Sequence, residues 1–335
     1  MRAHTVLIAW IAALAVATGA PGSDFADEPF ALRLPAALTR YSGYADVAGV
    51  GGASAGSPWG SSVNPAAVAW AAHAPLSVSP QLSAITFDRG TRLTVGAASL
   101  VFGSDEAGWF LPTVARVWSN VASTAQGLDF EFDLRQVQMQ WGRRLTEDLA
   151  AGVTGSAVRS ETRFTSAYGP VASSDDTGAN LRIGGLYRVS PRWIAGLVIE
   201  YGRTWSDTVV NTPSGPYRTH EVTHQVLVRP GFSLRYAEES YLYVDCQYGR
   251  FSNDEATLVV RRLFAGAEHR VFDWLYPRLG GGYDDRGNLA GTAGIGLYPR
   301  PGLSVDLAYQ HDFFAELDPE LGPSRAWTLS LTWIF

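Results

Sequence analysis

The stretch AWTLSLTWIF, residues 326–335, places Trp327, Leu329, Leu331, Trp333 and Phe335 on one phase of an alternation and Thr328, Ser330 and Thr332 on the other. A repeat of two residues belongs to an extended strand, so one face is apolar and the other wet. The last residues of a soluble domain commonly fray, yet here the apolar face runs to the final residue. Such a strand reads as one that closes a sheet against its first strand, leaving no free edge in lipid.

The alternation recurs upstream. Leu303, Val305, Leu307 and Tyr309 alternate with Ser304, Asp306, Ala308 and Gln310, and Leu242, Val244, Cys246 and Tyr248 alternate with Tyr243, Asp245 and Gln247. Val222, Val226, Val228 and Phe232 share a face opposite Glu221, Thr223, Gln225 and Arg229. Trp193, Leu197 and Ile199 face away from Gly196, Glu200 and Gly202. Between these segments, short connections (GRRLTED, RVSPR, AEES, RVFD, PRPG) take turns with longer or polar ones (TSAYGPVASSDDTG, SDTVVNTPSGPYRTH, SNDEA, DDRGN, AELDPELGPS). Short periplasmic turns and long outer loops are the habit of outer-membrane barrels. The expected fold is all-β: a transmembrane antiparallel β-barrel of about fourteen strands over residues 76–335. A soluble β-sandwich is the competing reading.

Composition points the same way. Charged residues make up 17% of the 335-residue chain, below the about 25% usual in soluble proteins, while it holds 35 Gly, 11 Trp and 14 Tyr. All 26 basic residues are Arg, and the net charge of −6 argues against nucleic acid as a partner. Residues 1–20 read as a cleaved signal peptide, with Arg2, an apolar run from Val6 to Ala17, and small residues Thr18 and Ala20 at the cleavage site. The lone Cys246 has no internal disulfide partner. The expected location is the bacterial outer membrane, with outer-membrane lipid and the barrel assembly machinery as partners. Trp333 and Phe335 resemble the assembly signal of such barrels.

Two irregularities stand out in the predicted wall. In the fourth strand (127–142), Phe130, Phe132 and Leu134 alternate with Asp129, Glu131, Asp133 and Arg135, after which Val137, Met139 and Trp141 become the apolar set. A one-residue slip of this kind is expected from a β-bulge around Arg135 and Gln136. In the neighbouring third strand, Pro112 removes a ladder donor. By alternation, Asp129, Glu131, Asp133 and Arg135, with Arg182, Glu200, Arg229 and Asp306, are expected to line the lumen, paired with one another or in contact with a substrate.

Residues 21–75 carry no strand pattern. They include GVGGASAGSPWGSSVNPAAVAWAAHAP, in which Asn64 is placed to cap a short helix beginning at Pro65. The segment is expected either to plug the barrel or to form a leader ahead of it. The glycines make no phosphate loop, since no Gly-Lys-Ser/Thr follows them.

SSVNPAAVAW resembles the Asn-Pro-Ala hatch motif of the FadL-type outer-membrane transporters, a family that includes PorV- and PorQ-like relatives; Asn64, Pro65 and Ala66 match the motif. The resemblance implies a fourteen-stranded barrel plugged by an N-terminal hatch over 21–75. It also implies passive passage of long-chain fatty acids or other hydrophobic compounds, and a lateral wall opening near Pro112, Arg135 and Gln136. The alternative it implies is a non-transporting component of a secretion or surface-attachment system. The partner is accordingly a hydrophobic small-molecule ligand or a set of secretion-system proteins. No enzyme is expected: His220, His224 and His311 fall on outward faces, no serine stands in a hydrolase arrangement, and no spacing suggests a metal site or another cofactor.

Overall fold

The structure is a computed structural model and describes residues 25–39, 45–71, 76–120, 122–123 and 128–335. Its wall consists of β1 (Leu76–Phe87), β2 (Arg92–Ser104), β3 (Gly108–Asn120, continued by Ala122–Ser123), β4 (Asp129–Arg144), β5 (Leu149–Ser166), β6 (Gly169–Ser190) and β7 (Trp193–Thr212). It continues with β8 (Gly215–Ala237), β9 (Ser240–Ser252), β10 (Thr257–Glu268), β11 (Leu275–Asp284), β12 (Leu289–Arg300), β13 (Leu303–His311) and β14 (Ser324–Ile334). Each strand pairs antiparallel with its chain neighbours, and β1 pairs with β14 from Ser77–Ile334 to Phe87–Ser324, closing the ring. The rim where β1 begins and β14 ends is the near rim; the opposite one is the far rim.

Closure pairs the first strand with the last, and the alternation decides what each face meets. On β14, Trp327, Leu329 and Trp333 are exposed outward while Thr328 and Ser330 are buried inward. The Ser83 hydroxyl donates to Thr328 Oγ1 across the β1–β14 pair at 2.9 Å. An outer band of Leu, Val, Ile, Tyr and Trp over a polar interior is the pattern of a barrel whose solvent is hydrocarbon.

Four expectations are corrected. First, β5 to β8 run 18, 22, 20 and 23 residues, so most of TSAYGPVASSDDTG and SDTVVNTPSGPYRTH is strand rather than loop. A tilted crossing takes about 9–11 residues, so these strands project well past the band at the far rim. Outside hydrocarbon neither face need be apolar, which gave the segment its loop-like composition.

Second, β4 carries no bulge. Its register against β5 is unbroken from Asp129–Thr165 to Arg144–Ala150. The change of phase is an exchange of solvents along one continuous strand. Phe130, Phe132 and Leu134 are buried inside the projecting part, and Val137 and Met139 are exposed outside lower down. The extra residue lies in β3, whose register with β4 moves by one between Trp118–Asp133 and Ala122–Phe130. There the Phe132 N–H donates to the Ser119 hydroxyl at 2.7 Å.

Third, and for the same reason, Asp129, Glu131, Asp133 and Arg135 do not line the lumen. They face outward on the projecting wall, where Arg116 donates to both oxygens of Asp133 at 3.1 and 2.7 Å. Fourth, the AELDPELGPS connection folds inward. Phe313, Phe314, Leu317 and Leu321 are buried in the far mouth beside Phe87 and Phe264. Arg262 donates to the buried Glu316 carboxylate there, and Arg33 donates to Glu320.

The described residues ahead of β1 lie inside the barrel. Helix α1 (Phe30–Leu38) sits in the far mouth, with Phe30 edge-on to Phe130 and Phe164. Helix α2 (Ala45–Gly49), a run of turns over 50–64, a 3-10 turn (Pro65–Ala67) and α3 (Val68–Ala71) then follow the inner wall. The signal-peptide reading over 1–20, with His4, lies outside the described residues, as does His73.

Candidate functional site

The inner segment tracks around the wall because the wall makes room for its backbone. Inward-facing Gly142, Gly152, Gly184, Gly196, Gly266 and Gly280 all meet it where a side chain would begin. A Cβ on Gly152 would stand 2.5 Å from the Pro65 carbonyl, and one on Gly142 2.7 Å from the same oxygen. Close backbone approach of this kind is a use for which glycine alone suffices.

Wall side chains then satisfy the segment's backbone, which forms no regular ladder of its own. Asp245 accepts from the N–H groups of both Ser54 and Ala55 at 2.7 Å and from Arg229 Nε at 3.1 Å. Arg229 also donates to the Gly52 carbonyl, and Ser233 donates to that of Gly56 at 2.9 Å. Arg182 donates to Glu200 at 2.7 Å and to the Ser62 carbonyl at 2.9 Å, while Gln140 donates to Pro65 at 3.3 Å. Asn64 caps the 3-10 turn, accepting from Ala66 N at 3.0 Å, and its amide donates to Ala55 at 2.7 Å and Gly185 at 3.0 Å. Buried polar groups that find partners rigidify what they join.

Near the near rim, Arg278 donates to Glu268 and Asp306, each at 2.5 Å, below α2. Burial, then the neighbouring Asp306 carboxylate, pushes the Asp46 carboxyl of α2 up to about 6. Arg182, Glu200, Arg229 and Asp306 thus point inward, where they bind one another, other wall residues or the inner segment.

Two cavities flank this segment. The far one, about 700 Å³, runs from Val210 and Tyr217 of the projecting strands down to Ser62 and Leu111. Its β2–β5 side and α1 present Val95, Val117, Phe132, Leu134, Val158 and Leu34. Its β6–β8 side presents Ser174, Asp176, Thr204, Thr208, Glu221 and Thr223. The near cavity, about 530 Å³, is walled by Tyr241, Tyr243, Tyr276, Tyr298 and the Arg278 cluster. Ser62 and Leu111 line both.

Beside Leu111 the ladder between β2 and β3 is interrupted. The β2–β3 ladder pairs Ser99 with Thr113 and resumes at Phe102–Phe110, passing over Leu100 and Val101 opposite Pro112 and Leu111. Pro112 has no N–H to give there. The interruption is on the β2 side alone. Pro112 pairs with Met139, and Arg135 and Gln136 pair on both flanks, so Arg135 and Gln136 do not mark a break. Gln136 instead lines the far cavity, and Arg135 faces out beside Asp133 at 3.2 Å.

Of the histidines, His220 and His311 are exposed outward, and His224 faces outward against the Tyr201 hydroxyl at 3.0 Å. Trp333 stacks on Phe335 on the outer face of the near rim, with centroids 5.3 Å apart. The residue that sequence reasoning passed over is Asp245. Its inward phase on β9 was visible, but its partners, the Ser54 and Ala55 amides, lie some 190 residues away.

The fold defines a class: closed antiparallel barrels of fourteen strands. Among the solved structures that superpose on it are FadL-type outer-membrane transporters. The toluene transporter TbuX of Ralstonia pickettii superposes with a TM-score of 0.66 at 12% identity, covering 87% of this chain and 98% of that one. The monoaromatic hydrocarbon channel CymD gives 0.58 at 14% identity, and a Pseudomonas aeruginosa FadL homologue 0.56 at 12%, both with the same coverage. At such identities the likeness is one of fold. No family model matches the chain, and no curated protein matches it in sequence.

Proposed function

We propose that this protein is an exported bacterial outer-membrane channel that admits hydrophobic small molecules passively. The observation that carries the reading is the far cavity: a chamber held above the membrane band by projecting strands, apolar along β2–β5, and ending at Leu111 beside the interrupted β2–β3 ladder. Its volume falls within the about 300–1,000 Å³ typical of small-molecule sites. A solute collected in the chamber passes Leu111 and leaves sideways between β2 and β3 at Pro112, where the ladder is interrupted, so the glycine-seated hatch need not leave the barrel. The chamber supports transport over the reading as an interaction component of a secretion system. Trp333 and Phe335 then serve the assembly machinery, and the outer band meets lipid.

The test is uptake of labelled toluene by cells lacking their own hydrophobic-compound channels. The protein raises the rate, and Leu111→Trp, which fills the junction of the two cavities, lowers it. Equal rates with and without the protein would reject the reading.

A further inference from the structure

The polar lining of the far cavity says which hydrophobic molecules it takes. Below the apolar residues lies a floor of neutral hydrogen-bonding side chains set in register. Gln81 stands opposite Ala97, Ala97 opposite Ala115, and Ala115 opposite Gln136; one step lower, Thr113 stands opposite Gln138. Within this floor the buried Gln81 Oε1, Thr113 Oγ1 and Ser62 Oγ make no hydrogen bond inside the protein. A buried oxygen left so costs stability that a donor from a ligand restores.

The charges around the same cavity restrict that ligand. Asp176, Glu200, Glu221 and Glu255 line it, against a single guanidinium among the described residues, Arg182. Arg182 is already engaged by Glu200 and by the Ser62 carbonyl. An anion brought here meets carboxylates and finds no uncommitted cation, so its charge is buried without compensation.

Resting on the transport reading above, we propose that the chamber selects molecules with an apolar body and an uncharged hydroxyl, such as alkylphenols, and turns away carboxylates. The apolar body lies along Val117, Phe132 and Leu134, and the hydroxyl sits among Gln81, Thr113 and Ser62.

Three probes of one shape separate the possibilities: 4-ethylphenol, 4-ethylbenzoate and ethylbenzene, titrated calorimetrically at pH 8 into the detergent-purified full-length protein. The expected order is phenol tightest by about tenfold over ethylbenzene, the worth of one restored buried hydrogen bond, with benzoate weakest. Gln81→Leu combined with Thr113→Val abolishes the preference for the phenol over ethylbenzene, and an unchanged heat-dependent gel shift shows the variant to be folded. Ethylbenzene binding as tightly as the phenol, or benzoate binding tightest, overturns the hydroxyl assignment while leaving a hydrophobic binding chamber in place. Absence of binding by all three overturns both.

Discussion

Asp245 on β9 and Ser54 in the inner segment are joined by a 2.7 Å hydrogen bond from the Ser54 amide to Asp245 Oδ2, although 191 residues separate them in the chain. The same oxygen holds Ala55 and Arg229. One carboxylate therefore ties the backbone of the inner segment to the wall and neutralises a buried guanidinium at the same point.

Removing that carboxylate exposes both roles. Asp245→Ala leaves Arg229 buried without its counter-charge, a loss of about 3–5 kcal/mol in buried pairs of this kind. The expected outcome is a lower midpoint of denaturant unfolding and faster proteolysis within residues 45–65. Arg229→Met made together with Asp245→Leu recovers part of the midpoint, because no unpaired charge remains while the Ser54 and Ala55 amides still lack their acceptor.

The glycine seat predicts a contrast between two positions three residues apart on β5. Gly152 faces inward against Pro65, whereas around Gly155, on the outer face, nothing lies within 4 Å of a built Cβ. Gly152→Val should block folding into the heat-modifiable barrel or displace the segment, at more than the about 1–3 kcal/mol of ordinary overpacking, because backbone must move. Gly155→Val should fold as the parent does. Gel mobility with and without heating reads both.

Asp46 makes the seating of α2 depend on pH. Its carboxyl is raised in the folded state to about 6 by burial and then by Asp306, with Arg278 opposing and Glu268 adding to the shift. A raised acid favours the folded state at low pH, and that contribution is lost as pH climbs from the ordinary carboxylate value through about 6. Protection of the segment from proteolysis should therefore weaken between pH 4 and about 7, and Asp46→Asn should flatten the profile.

On the projecting wall the two faces of β4 should respond oppositely. Glu131 is exposed outside and Phe132 buried inside. Glu131→Gln is expected to change stability by less than about 0.5 kcal/mol and to leave binding alone. Phe132→Ala is expected to cost about 3–5 kcal/mol and to weaken retention of ethylbenzene by the purified protein.

These two residues also show how far the sequence could be read. Period-two alternation located the strands and the inward phase of Arg182, Glu200 and Arg229, because within hydrocarbon the apolar face must be the outer one. On β4 the same rule placed Asp129, Glu131 and Asp133 in the lumen, since alternation reports two faces but not which solvent each meets once the wall leaves the membrane. The sequence likewise marked Pro112 and Asn64-Pro65-Ala66 as features. It was silent on the partners across space: Asp245 with Ser54, and the wall glycines with the carbonyls they admit.

The most direct test concerns the interrupted ladder. In a Cys246→Ser background, Val101→Cys and Leu111→Cys stand opposite one another where β2 and β3 lack pairing, and their oxidation pins the two strands together. Toluene uptake by cells carrying this variant should match the parent under reducing conditions, fall to that of protein-free cells once the disulfide forms, and recover on reduction. Unchanged uptake with the disulfide fully formed would contradict passage through the wall at Pro112.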